Sequence, residues 1–136
     1  MQATLMTTGM VASPFKNSDG EINVKGLCKA IQIERARLPG IVGLTKQAIA
    51  HYFEQGVDFV RLRNQESLDF FQKLNKVYIL VRAIQGKKIS EEKIRAWFHA
   101  PNRALEMKSP VELVYERNLD ALIEKLMDVI TAAHGG

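Results

Sequence analysis

An all-α fold is what this sequence predicts, and three observations predict it. Apolar residues recur at spacings of three and four over two long stretches, residues 64–85 and 119–133. Ser, Thr or Asn heads several periodic stretches as an N-cap, and glycine closes the longest. Pro101 and Pro110 then divide the C-terminal third into a helix stop and a helix start. The expected organisation is a flexible segment over 1–20, a helix-turn-helix-like unit over 21–63 and a helical module over 64–136.

Size and composition narrow the function. A chain of 136 residues with 46% hydrophobic side chains supports one compact domain with a short tail. Its one cysteine, Cys28, falls within an apolar helical pattern and reads as a buried, inert thiol, which fits a reducing cytoplasm. No apolar run approaches the ~20 residues of a membrane helix. The first residues lack the basic stretch of a secretion signal. There is no glycine-rich phosphate loop, no paired histidine spacing for a metal, and no nucleophile with a base at hand. The chain therefore reads as a binding protein rather than an enzyme, with no catalytic residue, metal or cofactor. Its net charge of +4 is uneven. Residues 1–100 hold 15 basic and 9 acidic side chains, and residues 101–136 hold 4 and 6. A basic front and an acidic back suggest two different partners.

Taken in order, residues 1–20 are turn formers without periodicity, with Val11 and Phe15 as residues able to pack. Val24, Leu27, Cys28 and Ile31 form the first apolar stripe. Pro39-Gly40 and Gly43 keep the next helix short. Thr45 caps another, Lys46 to Glu54, with Ile49, Tyr52 and Phe53 on its apolar side. Short helix, glycine, capping threonine, short helix is the spacing of a helix-turn-helix. Its second helix would offer Thr45, Lys46, Gln47 and His51 to DNA, with Arg35 and Arg37 flanking the backbone. Over 56–63, Val57, Phe59 and Leu62 interleave with polar residues as a short extended connector carrying Arg61 and Arg63.

Asn64 opens the longest helix. Phe70, Leu74, Val77, Val81 and Ile84 step by four and three, a heptad-type seam that serves either the core or a homodimer or higher oligomer. Gln72, Lys73, Asn75, Lys76 and Arg82 cover the other side, and Gly86 closes the helix. Ser90 caps a helix with Ile94, Trp97 and Phe98 on its apolar face. That helix must end near Ala100, because Pro101 disfavours helical backbone before it. Asn102 braces the turn that follows. Ser109, Pro110 and Glu112 form a capping box for a short helix over 111–116. Leu119, Leu122, Ile123, Leu126, Ile130 and Ala133 make the last stripe, with Asp120, Glu124 and Asp128 as an acidic row beside it.

The corner from Trp97 to Val114 carries a family pattern: Trp97-Phe98, Pro101-Asn102, Leu105, Pro110, Glu112-Leu113-Val114, then one amphipathic helix ending in glycine. It resembles the Xre/MbcA/ParS-type antitoxins, strongly over about 64–136 and more weakly over 24–63. Leu38 to Ile49 is similar to the helix-turn-helix core of Xre-like domains. The resemblance implies an antitoxin that neutralises a RES-domain toxin, an enzyme that consumes NAD or transfers ADP-ribose from it, and that represses its own operon at operator DNA. It implies toxin contact through Trp97, Pro101, Asn102, Arg103, Leu105, Pro110 and Leu113, and through Glu124, Asp128, His134, Gly135 and Gly136 of the last helix and tail. Many members carry Gly-Gly where this chain has Glu106-Met107, and a glycine where it has Asn118. A stand-alone helix-turn-helix regulator and a self-associating helical module are the other expectations.

Overall fold

The computed structural model describes residues 13–135 except Lys87, with no side-chain description for Val42 and 133–135. Among the described residues there are seven α-helices, two short 3-10 turns and no strand. The helices are α1 (Val24–Ile31), α2 (Leu38–Val42), α3 (Lys46–Tyr52), α4 (Gln65–Gln85), α5 (Glu91–His99), α6 (Pro110–Tyr115) and α7 (Leu119–Gly135). The all-α reading therefore holds. None of these helices is long and apolar enough to cross a membrane.

The caps form where the sequence calls for them. Side-chain oxygens of Asn23, Thr45, Asn64 and Ser90 accept from backbone amides three residues on, each satisfying an otherwise orphaned helix donor. The carboxylate of Glu112 accepts from the Ser109 amide at 3.2 Å, closing the capping box. Two helices end with a non-glycine residue in the left-handed region. Gln32 (φ 68°) follows α1, and Arg117 (φ 62°) follows α6. In both, the next amide reaches back five residues: Ile33 to the Cys28 carbonyl at 2.9 Å and Asn118 to the Leu113 carbonyl at 2.8 Å. These are Schellman stops, and buried Ile33 supplies the apolar contact that accompanies them.

The long helix α4 is the spine. Helices α1, α2 and α7 pack on it, α5 packs on α1, and α6 bridges α5 to α7. Its seam residues Phe70, Leu74, Val77 and Val81 are all buried within the single chain. The stripe that suggested an oligomer seam is thus spent on the internal core, and only Ile84 at its end is 37% exposed. Asn75, expected on the polar side of α4, is also buried. It is engaged by the hydroxyl of Ser13. Beside it the rings of Phe15 and Tyr78 meet edge to face at 5.0 Å. So residues 13–20, expected to be flexible, are tied to the core by Ser13, by the Phe15 ring, by the Asn23 amide on the Phe15 carbonyl at 2.8 Å and by an isolated bridge from Lys16 to Ile22, and they turn on the side chain of Asn17. Val11 lies outside the described residues.

The connector differs from its expected register. Val60 and Leu62 turn inward, and Phe59 turns outward at 37% exposure. Val60 exchanges both backbone hydrogen bonds with Ile22, at 3.0 and 2.9 Å, as an isolated antiparallel bridge. That pairing sets the phase, and the sequence pattern of the connector alone does not contain it.

One cluster of buried residues runs from Ile22 to Leu126. It spans both sides of the boundary expected at Arg63 and Asn64.

Candidate functional site

The Trp97 corner is built by local chemistry. Helix α5 stops at Ala100, whose ψ of 146° is the extended backbone that a following proline favours. Asn102 then organises the whole turn. Its side-chain oxygen accepts from the Ala104 amide at 2.9 Å, and its carbonyl accepts from Leu105 at 3.0 Å and Met107 at 2.9 Å. Its own amide donates to the Lys108 carbonyl at 3.0 Å, closing a loop from 102 to 108. Glu106 (φ 56°) and Met107 (φ 70°) are both left-handed, a conformation in which glycine carries no penalty. They stand at the two positions where the resembled antitoxins often carry Gly-Gly.

The corner leans over α7 and leaves a groove of about 160 Å³ between them. Leu105, Leu122 and Leu126 form its buried floor. Trp97, Asn102, Ile84 and Val129 form its walls, and Lys125 stands at the rim. Trp97 is half-buried and fixed edge-on against Phe98, with ring centres 5.0 Å apart. Val129 is 48% exposed. An apolar cleft with a rigid aromatic wall and one amide is a surface suited to an apolar anchor from another protein.

The expected site residues separate into groups. Trp97, Asn102 and Leu105 line this groove together. Pro101 and Arg103 are exposed beside it. Pro110 and Leu113, expected to touch a partner, are buried under the corner and support it from below. The physical reason is that α6 is amphipathic and turns both into the core with Val114. Glu124 and Asp128 are exposed on α7. Asp120, the first of that acidic row, is held by Lys73 at 3.0 Å. The backbone of α7 stays helical to Gly135, while Gly136 and the side chain of His134 lie outside the described residues. Ile84 and Val129 were not foreseen at the site. A signal for Val129 existed, since it continues Leu122 and Leu126 by a step of three, off the main stripe.

The residues expected to face DNA lie around α3. Thr45 is spent as its cap, accepting from the Ala48 amide at 3.1 Å. Lys46 and Gln47 are exposed. His51 lies 2.7 Å from the Glu54 carboxylate. Arg35 and Arg37 both stack on rings: Arg35 over Phe53 at 5.0 Å and Arg37 over Tyr115 at 3.6 Å. Among the described residues no group of three or more His, Cys, Asp or Glu could hold a metal ion.

No family model, curated protein or solved structure matches the chain significantly.

Proposed function

We propose that this protein is an antitoxin that neutralises a RES-domain toxin by presenting the Trp97 corner and α7 to it. The observation that carries the reading is the open groove beside Trp97, whose walls include the exposed side chains of Ile84 and Val129. The corner pattern of the resembled family borders that groove. The exposed carboxylates of Glu124 and Asp128 suit a toxin pocket built to bind the phosphates of NAD through arginines. Repression of its own operon through α3 has less behind it. Helix α2 has five residues, α3 has seven, and both arginines expected at the DNA backbone lie on aromatic rings.

The test is co-expression with a RES-domain toxin. The expected result is rescued growth and a complex that co-purifies. Val129→Glu should abolish both while leaving the helical spectrum unchanged, because the side chain is half-exposed. Removal of residues 134–136 should weaken rescue if the tail enters the toxin. Unrelieved toxicity with the intact chain, or rescue indifferent to Val129→Glu, would overturn the proposal.

A further inference from the structure

We infer that two clefts on either side of the last turn of α3 form one binding track for single-stranded nucleic acid. Neighbouring residues face the two clefts. Phe53 lines a cleft of about 490 Å³ together with Lys25, Lys29 and Arg95. Tyr52 lines a cleft of about 600 Å³ together with Phe59, Arg61 and Arg63. Neither cleft has a carboxylate in its wall. The contrast within the same molecule is direct: the cavities beside Lys73 and Lys108 are lined by Glu66, Asp69 and Asp120, and by Glu106 and Glu116.

The nearby charges do not cancel this arrangement. Glu91 holds Arg95 at 3.5 Å, and Glu54 holds His51 at 2.7 Å. Lys25 is pinned by the Glu54 carbonyl at 3.0 Å, which orients its ammonium without neutralising it. Glu34 and Asp58 are exposed close by in the chain. Among the described residues no ion pair engages Lys29, Arg61 or Arg63. A cleft lined by one sign of charge focuses its field on an approaching polyanion.

Charge alone would suit any polyanion; the aromatic rings narrow the choice. The ring of Phe53 in the first cleft already carries Arg35 over one face, and in the second cleft Phe59 is 37% exposed beside Arg61. An exposed ring next to cations offers stacking to one base face and charge to the adjoining phosphate, the combination that binds single strands. A duplex hides its base faces.

Fluorescence anisotropy of the full chain tests this, with labelled twelve-nucleotide oligo-dT and oligo-rU, a twelve-base-pair duplex and an unlabelled oligoglutamate competitor. At 50 mM salt, one or both single strands should bind and the duplex should bind at least tenfold more weakly. The tighter of dT and rU identifies DNA or RNA as the source. Lys25→Ala with Lys29→Ala should weaken binding about tenfold and make the log–log salt slope shallower by about 1.4, about 0.7 for each lost phosphate contact. Phe59→Ala should weaken binding about tenfold with the slope unchanged. Circular dichroism confirms that each variant stays folded. Several outcomes would overturn the inference: no binding at 50 mM salt, preference for the duplex, displacement by oligoglutamate as effective as by oligonucleotide, or variants without effect. Sensitivity to the lysines with indifference to Phe59 would also overturn it, as the mark of a charge-only surface. None of these residues lines the Trp97 groove, so the result is independent of the antitoxin reading.

Discussion

Cys28 shows how strongly its surroundings decide what a side chain can do. It is 2% exposed on the inner face of α1, and burial pushes its thiol up from 9.0 to about 12. The native thiol should therefore resist Ellman's reagent at pH 8 and react only as the chain unfolds in urea. Between about pH 9 and 12 the native state keeps a proton that the unfolded state has released, so stability falls as pH rises through that window. Urea melts at pH 8 and 10.5 should show the loss, and Cys28→Ala should flatten part of it. Met107 makes a second case. Its φ of 70° costs a non-glycine residue roughly 1–2 kcal/mol, and its side chain, 60% exposed, gains little in return. Met107→Gly should change stability by between zero and about +1 kcal/mol, the relief being offset by the wider freedom of glycine in the unfolded chain. Met107→Val, β-branched in the same conformation, should lower the melting temperature.

At the scale of elements, α7 both packs into the core and borders the groove, and mutations at a buried and an exposed position should separate the two tasks. Leu122 is 1% exposed against α4, so Leu122→Ala should cost about 3 kcal/mol in a urea melt. Val129→Ala should stay within about 0.5 kcal/mol of the parent and act on partner binding alone. A stability loss at Val129 equal to that at Leu122 would remove the case for a free docking edge. The helices themselves were legible in the sequence, because their determinants are local. Thr45, Asn64, Ser90 and Ser109 mark starts by hydrogen-bond chemistry that acts within three residues. Pro101 and Gly86 mark stops in the same local way. The connector was not legible, since Val60 is turned inward by Ile22, which lies 38 positions earlier. Asn75 misled for a similar reason: its partner, Ser13, lies 62 positions away. The candidate groove was legible in part. The corner residues Trp97, Asn102 and Leu105 announced themselves by pattern. Ile84 joins them only because α4 and α7 run side by side.

For the whole molecule, the central question is whether 64–136 stands alone, as the division expected at Arg63 and Asn64 implies. The contacts across that line argue for one cooperative unit. Helix α1 packs on both α4 and α5. The His99 ring nitrogen faces the carbonyls of Ile31 and Gln32 at 3.0 and 3.1 Å, at the end of α1. The hydroxyl of Tyr115 accepts from the Glu34 amide at 3.0 Å, and its ring carries Arg37. Arg117 donates to the carbonyl of Gly40. A fragment of residues 64–136 would strip α1 from α4 and α5 and would uncover buried side chains such as Tyr78, which Phe15 meets edge to face. Each such side chain is worth roughly 1.5–3 kcal/mol when buried, and a domain of this size has only about 5–15 kcal/mol of net stability. The fragment should therefore lose cooperative melting and bind a hydrophobic dye. Adding residues 13–63 in trans should restore a single transition, with a midpoint that rises with concentration. The antitoxin reading then carries a further consequence: the toxin-facing groove depends on helices that never touch it. The isolated C-terminal piece should fail to rescue growth, even though it contains every residue that borders the groove. A cooperative melt and full rescue by 64–136 alone would show instead that the first half is an appendage, and that the shared core matters little for function.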